Sequence, residues 1–352
     1  MTDVLVLDPE HPAPGGIARA ADILRRGGLV AFPTETVYGL GADALNVAAV
    51  RRIFEAKGRP ADDPLIVHVH DIHALSALTD DRPDTVDALA SRFWPGPLTM
   101  VLRRSRVVPP EVTAGLETVA VRIPAHPIAF ALISAAAIPV AAPSANLFSR
   151  PSPTRARHVL EDLDGRIDLV IDGGSTTVGV ESTVIDLTAP TPTILRPGAV
   201  TVEMIREVLP GVGLSRASAR DPGAGMKSPG LLSRHYSPRA ELTLYEGPTR
   251  SVLERIIADA ADAIARGQRA GVIAADEDDL GPASPVVRIV RLGPERDHQA
   301  LAANLYNTLR SLDAAGVDVI LARTFADESG LAAAIHDRLR RAAAGRIVRV
   351  QS

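Results

Sequence analysis

The 352-residue chain contains no cysteine. Disulfides, thiolate metal centres and a cysteine nucleophile are excluded by that alone. Aromatic residues make up only 3% of a chain that is 46% hydrophobic, so its cores must be built from Ala, Val, Leu and Ile. The same scarcity leaves little with which to stack an extended RNA strand. Excess charge is also small: a formal net charge of −4 exerts no general pull on nucleic acid or anionic membrane, so any polyanion must meet a local basic site. Long apolar runs are missing. The longest, residues 128–142, is interrupted by Ser134 and Pro139 and is too short to cross a bilayer. The opening MTDVLVLDPEHPAPGG lacks the basic start and apolar core of a signal peptide, and a cytoplasmic protein without membrane attachment is expected.

What is present divides the chain. Its length exceeds one typical domain. Over residues 1–210, short β-rich runs (65–69, 98–102, 119–123, 139–142, 169–172, 182–187, 193–195) alternate with helical stretches. Val184 to Asp186 stands too close to Ile194 for a helical crossover, so the sheet should be mixed rather than parallel. Residues 211–238 are rich in Gly, Ser, Pro and Ala and read as a linker. Over 239–352, strands near 242–245, 271–274, 286–291 and 317–321 alternate with helices near 250–266, 298–314 and 328–344. The expected fold is α/β (α+β): a mixed twisted sheet flanked by helices, then a smaller, open, Rossmann-like α/β domain.

The stretch VAFPTETVYGLGAD (30–43) reads as a buried strand from Leu29 to Phe32, closed by Pro33. A polar loop with Thr34, Thr36, Gly39 and Gly41 follows, then a helix from Asn46, an arrangement suited to an anion or nucleotide. Three readings stand: a plain connecting turn, a cradle whose hydroxyls face a small polar ligand, and a dinucleotide fingerprint in Gly39, Gly41 and Ala44 with Asp71 beyond. Against the last, Pro33 to Tyr38 intervene where the fingerprint turns tightly off its strand.

In KGRPADDPLIVHVHD (57–71), Lys57 and Arg59 end a helix, where a cation is also an ordinary dipole partner. His68, His70, Asp71 and His73 follow no recognised metal-ligand spacing, and a polar contact from His68 fits better. Arg122 in VAVRIPAHP lies inside an apolar run and needs an anionic partner. PVAAPSANLFSRPSPT supplies Ser144, Asn146, Ser149 and Ser152; GVESTVIDL supplies Ser182 and Thr183; ILRPGAV supplies Arg196. Each alone could be an ion pair or a cap. Together Lys57, Arg59, Arg122 and Arg196, each beside a strand end, point to a phosphate-rich pocket, with no Walker motif or Ser-His-Asp spacing in competition.

These segments, with FWPGPLTMVL and SPGLLSRHYSP and in this order, closely resemble the threonylcarbamoyl-AMP synthases of the YrdC-like family, in their long two-domain form. The resemblance covers about residues 15–238 with specific motifs and the remainder more loosely. It implies condensation of L-threonine, bicarbonate and ATP to threonylcarbamoyl-adenylate and pyrophosphate, for use by tRNA threonylcarbamoyl transferase proteins downstream. Whether this chain itself touches tRNA stays open. Carried over by motif, Thr34, Thr36, His68, Arg122, Ala142 and Ser182 would contact threonine or its carbamate. Lys57, Arg59, Asp63, Thr118, Ser144, Asn146, Ser152, Arg196, His235 and Tyr236 would contact ATP, with Lys57, Arg59 and Arg122 carrying the catalytic charge. Relatives usually carry Asn or another polar residue at the position of Asp63, and a carboxylate there alters the nucleotide contact.

Such a reaction needs positioning, charge neutralisation and exclusion of water rather than a protein nucleophile. Mg²⁺ would be held mainly through the ATP phosphates, with no protein metal site. Residues 228–238 would form a lid over the nucleotide, the alternative being that Tyr236 packs against the second domain. Two other classes remain: a nucleotide- or RNA-binding module of the same fold, and a carbamoyl-transfer relative. The latter carries this domain in longer chains with zinc fingers, and cysteine is absent here.

Overall fold

A computed structural model of the chain describes residues 1–215, 235–281 and 287–351. They fall into two compact units, residues 1–148 with 152–215, and residues 149–151 with the described residues from 235 onward. Among them no helix is long and apolar enough to cross a membrane.

In the first unit the strands are β1 (Asp3–Val6), β2 (Val30–Pro33), β3 (Tyr38–Asp43), β4 (Ile66–His68), β5 (Leu98–Arg103), β6 (Thr118–Arg122), β7 (Val140–Ala141), β8 (Leu169–Asp172), β9 (Thr183–Asp186), β10 (Thr193–Arg196) and β11 (Gly213–Leu214). They form one sheet of order β1-β8-β2-β3-β7-β4-β6-β5-β9-β10-β11. It is mixed, as the tight β9–β10 connection required: those two strands are antiparallel with Ile194 opposite Ile185. The helices are α1 (Pro14–Arg25), α2 (Val47–Lys57), α3 (Leu75–Leu78), α4 (Asp84–Phe93), α5 (Pro110–Thr113), α6 (Pro127–Ala136), α7 (Ala156–Leu163) and α8 (Val202–Val208). β1 and α1 were not anticipated. α1 opens at a proline, whose missing N–H costs nothing in a first turn, and buries Ile17, Ala20, Ala21 and Leu24 along one face.

These helices cover the two faces of the sheet unequally. Apolar residues of α2, α4, α5, α7 and α8 join Val67, Met100, Val119, Val121 and Ile185 in the main core. On the opposite face α1 and α6 cover only the half containing Val30, Phe32, Val140, Leu169 and Ile171. Over β4, β6, β5 and β9 that face instead carries a small separate cluster of Ile66, Val101, Ala120 and Val184. Among the described residues, no helix of this unit contributes to it.

One sequence expectation fails here. Gly39 and Gly41 are not in a loop: β2 and β3 form a tight antiparallel hairpin with Phe32 opposite Gly39, and only residues 34–37 turn. Neither glycine has a positive φ. At Gly41 a Cβ would come within 2.7 Å of the Phe32 ring and 2.9 Å of Val140, so the residue is small because two strands and a ring converge on it. The helix that follows is capped separately, Asn46 accepting the Ala49 amide at 3.2 Å. A glycine anion loop and a dinucleotide fingerprint are both ruled out, since a fingerprint needs its glycines in the turn leading directly into the helix.

The second unit contains β12 (Glu241–Glu246), α9 (Thr249–Ala265), β13 (Ala270–Ala274), β14 (Val287–Arg291), α10 (His298–Ala314), β15 (Val319–Arg323), α11 (Gly330–Ala343) and β16 (Ile347–Arg349). Its sheet, β14-β13-β15-β12-β16, is parallel throughout, the open α/β architecture expected of it. Residues 149–151 belong to this unit rather than to the first: Arg310 Nη2 donates to the Pro151 carbonyl at 2.6 Å, and the Ser237 amide to that of Ser149 at 2.7 Å.

The hairpin packing predicts the outcome of Gly41→Ala. Overpacking a site closed on two sides costs about 1 to 3 kcal/mol, measurable as a lower urea midpoint with an unchanged m-value.

Candidate active site

The pleat of the sheet assembles the site. β4 and β6 run parallel with His68 beside Arg122 and Ile66 beside Ala120. Across β5, Val101 faces Ala120; β9 then sets Val184 against Thr99, and β10 sets Arg196 against Val184. Because side chains alternate by two, His68, Arg122, Thr99 and Val184 all project from the face that bears the small apolar cluster, and a register shift between Ile194 and Arg196 sets Arg196 opposite Val184 on the same face. Thr118 lies on it too, four residues before Arg122 along β6, about 13 Å away at the usual rise.

Arg122 is 3% exposed, and its partners arrive from other segments. Nε donates to the Gly96 carbonyl at 3.1 Å and Nη1 to Thr36 Oγ1 at 3.0 Å, while Nη2 stands 2.6 Å from Glu35 Oε1. Thr36 is held in turn by Thr34, whose hydroxyl lies 2.8 Å from that of Thr36 and donates to the Val37 carbonyl at 2.6 Å. His68 is buried beside this group, and its Nδ1 has no hydrogen-bond partner among the described residues. Burial first, and the Arg122 charge second, pull its pKa from 6.5 down to about 3, so the ring is neutral. Ala142 closes the neighbouring strand end, its amide donating to the Ile66 carbonyl at 2.9 Å.

The other cations clamp loops. Lys57 Nζ donates to the carbonyls of Ser144 and Asn146, each at 2.5 Å, and Asn146 Nδ2 donates to the Leu147 carbonyl at 2.7 Å. Arg59 donates to the Asp63 and Pro64 carbonyls at 3.3 and 2.8 Å and pairs with the Asp63 carboxylate at 2.9 Å. Asp63 is fully buried; burial raises its pKa, an effect that Arg59 and then Lys57 counter. Arg196 donates to the Ser182 carbonyl from Nε at 3.1 Å and from Nη2 at 3.0 Å, and the Ser182 hydroxyl lies 2.8 Å from that of Thr99. Arg196 is therefore a strand-end residue, 3% exposed, and not the loop residue that the following Pro197-Gly198 suggests. The chain can fold back so closely because Gly198 has no Cβ, which would lie 2.4 Å from the Thr183 amide. Ser152 donates to Glu181 Oε1 at 2.5 Å.

Residues 216–234 lie outside the described residues, and most of the expected lid, 228–238, falls within them. His235 and Tyr236 are described and belong to the second unit. The Tyr236 ring lies 5.5 Å from that of Tyr306, with the Arg338 guanidinium 5.4 Å over it, which is the packing alternative.

With this geometry in view, residues 22–198 match the Sua5, YciO and YrdC family model, described as telomere recombination. Residues 200–344 match a second, described as threonylcarbamoyl-AMP synthase, C-terminal domain. A threonylcarbamoyl-AMP synthase of Pyrococcus abyssi is 48% identical over 331 residues, covering 94% of this chain and 95% of the relative. That of Bacillus subtilis is 46% identical over 334 residues, covering 95% and 94%. The crystal structure of P. abyssi Sua5 complexed with L-threonine superposes with a TM-score of 0.92 at 46% identity, covering 99% of this chain and 100% of that one. The chain belongs to the threonylcarbamoyl-AMP synthase family.

In this synthase-family chain three polar residues of the site escaped the sequence reading: Glu35, Glu181 and Thr99. Glu35 sits inside the quoted hairpin and could have been found by asking what neutralises Arg122. Thr99 carries no signal without the register of β5.

A neutral, buried His68 has a pH consequence. Below pH 6.5 the unfolded chain takes up a proton that the folded chain refuses, so the His68 contribution to stability falls as pH drops from about 6.5 towards 3. At pH 5 the loss is about 2 kcal/mol. Urea unfolding at pH 7 and pH 5 should show that slope reduced in His68→Gln, and the wild-type His68 ring should not titrate between pH 8 and 5 by NMR.

Proposed function

We propose that this chain condenses L-threonine, bicarbonate and ATP to threonylcarbamoyl-adenylate and pyrophosphate. Family membership supports the reaction class, and the relative solved with L-threonine supports the amino acid. The observation in this chain that carries the reading is the row His68, Arg122, Thr99, Val184, Arg196. It sets a buried guanidinium at each side of one sheet face, with hydroxyls between them and an apolar floor beside them.

The chemistry follows from charge and placement. A carbamate oxygen of N-carboxylated threonine attacks the α-phosphorus of ATP, the bond to the bridging oxygen breaks, and pyrophosphate leaves. Arg122 receives the amino acid carboxylate, and a neutral His68 offers a hydrogen bond without adding charge. Arg196, with Lys57 and Arg59 behind it, neutralises the phosphates. Ser144, Asn146 and Ser152 line the nucleotide side. An adenylate laid along β6 from Arg122 would pass Ala120 and Ile66 and reach Thr118. The dry floor protects a labile carbamate and an easily hydrolysed adenylate.

Among the described residues no group of three or more His, Asp or Glu is placed to hold a metal ion. A Mg²⁺ carried on the ATP phosphates would supply charge neutralisation there. The product's destination on tRNA assigns the work to the cytoplasm, with threonylcarbamoyl transferase proteins downstream.

Pyrophosphate release from ATP should require L-threonine and bicarbonate together. Serine should be disfavoured by about 1 to 3 kcal/mol in kcat/KM, since it lacks one methyl. Equal release with serine or with no amino acid overturns the threonine assignment, and no release at all would favour a binding module of the same fold.

The two arginines should separate kinetically. Arg122→Ala should raise the KM for threonine and leave that for ATP near wild type, and Arg196→Ala should do the reverse. Wild-type threonine affinity in Arg122→Ala refutes its role.

A further inference from the structure

Three buried polar atoms beside the 34–37 turn lack a hydrogen-bond partner among the described residues: Nη2 of Arg122 and both carboxylate oxygens of Glu35. Nη2 and Oε1 are 2.6 Å apart, with side chains 4% and 11% exposed, yet they are not aligned as a hydrogen bond. The attraction is coulombic, and the directional capacity of both groups is unused. Leaving such groups buried and unsatisfied is costly, and native proteins seldom do so without a third participant. A counter-ion whose only task was to neutralise Arg122 would instead face it squarely, two oxygens to two N–H groups.

The rest of the neighbourhood holds Glu35 where it is. Its carbonyl accepts the Val178 amide at 2.8 Å, and the Thr36 carbonyl accepts the Gly179 amide at 3.1 Å, so the turn is pinned from the 177–179 segment. Arg122 has spent Nε on Gly96 and Nη1 on Thr36. The two N–H groups of Nη2 and one carboxylate therefore remain side by side. The ligand that satisfies both at once carries an anion and a cationic donor a single carbon apart, which describes an α-amino acid.

We propose that Glu35 binds the α-amino group of the substrate amino acid while the substrate carboxylate takes Nη2 of Arg122, an inference that rests on the amino-acid-activating reading above. The nitrogen keeps one N–H after N-carboxylation, so the contact persists into the adenylate-forming step. The same pair rejects α-hydroxy and α-deoxy acids, which would leave the Glu35 carboxylate buried and unpaired.

The experiment compares L-threonine with (R)-3-hydroxybutyrate, the same skeleton without the amine, by calorimetry and competition on the full chain. Wild type should prefer L-threonine by about ten- to a hundred-fold, the usual worth of a charged hydrogen bond in a buried site. In Glu35→Gln that preference should collapse towards unity through loss of threonine affinity, with binding of 3-hydroxybutyrate kept or improved. In Glu35→Asp, which retains the charge and guards against misfolding of the amide variant, it should be partly restored. If both compounds weaken equally in Glu35→Gln and the preference survives, Glu35 only orients Arg122 and the proposal is overturned. If wild type binds neither compound and releases no pyrophosphate, the amino acid reading falls first and takes this inference with it.

Discussion

A guanidinium buried on a sheet strand must be neutralised where it stands, by groups the strand itself cannot supply. Arg122 meets that demand by drawing in three segments: the 34–37 turn with Glu35 and Thr36, the Gly96 carbonyl ahead of β5, and His68 on the parallel neighbour. Desolvating an arginine costs several kcal/mol unless it is paired and hydrogen-bonded, so each of these segments is constrained by that one side chain. The tight hairpin with Gly41 is a condition for the arrangement, because a wider turn would carry Glu35 away from Nη2. A neutral His68 belongs to the same balance: a second cation beside Arg122 would add repulsion that a single carboxylate could not offset.

The remaining cations show how a site can be rigid without its substrate. Lys57, Arg59 and Arg196 donate to main-chain carbonyls of the loops that carry Ser144, Asp63 and Ser182. A carbonyl takes up one donor and leaves the charge in place. Ordering entropy for these loops is thus met in folding rather than at binding, which favours a reaction that depends on alignment more than on a reactive side chain.

Local pattern made most of the frame legible. α10 begins and ends where its periodicity suggests, and the short β9–β10 connection required a mixed sheet. What could not be read depends on register and on distant partners. Gly39 and Gly41 look like a loop in sequence because glycine marks turns and close packing alike, and only Phe32 and Val140 across the sheet distinguish the two. Pro197-Gly198 gave Arg196 the look of a loop residue, although β9 holds it from the side. Residues 149–151 carry no composition signal for the second unit, since their link to it is two carbonyls accepting from Ser237 and Arg310. The cationic residues stood out because charge in apolar surroundings is visible in sequence, whereas Thr99 is one hydroxyl among many until β5 is set against β6 and β9.

Asp63 bears on the electrostatics of the proposed nucleotide side. Burial raises the pKa of this carboxyl, and Arg59, Lys57 and Arg196 each oppose that rise, so it lies within reach of all three charges. Its carboxyl stands 2.9 Å from the Arg59 guanidinium and, where ionised, offsets one of the three positive charges. An amide at that position would leave Arg59 fully available to phosphate but would pair with it less strongly, loosening the 59–64 loop that Arg59 now closes through two carbonyls. In the proposed reaction the carboxylate would exchange some attraction for ATP against a better-held loop.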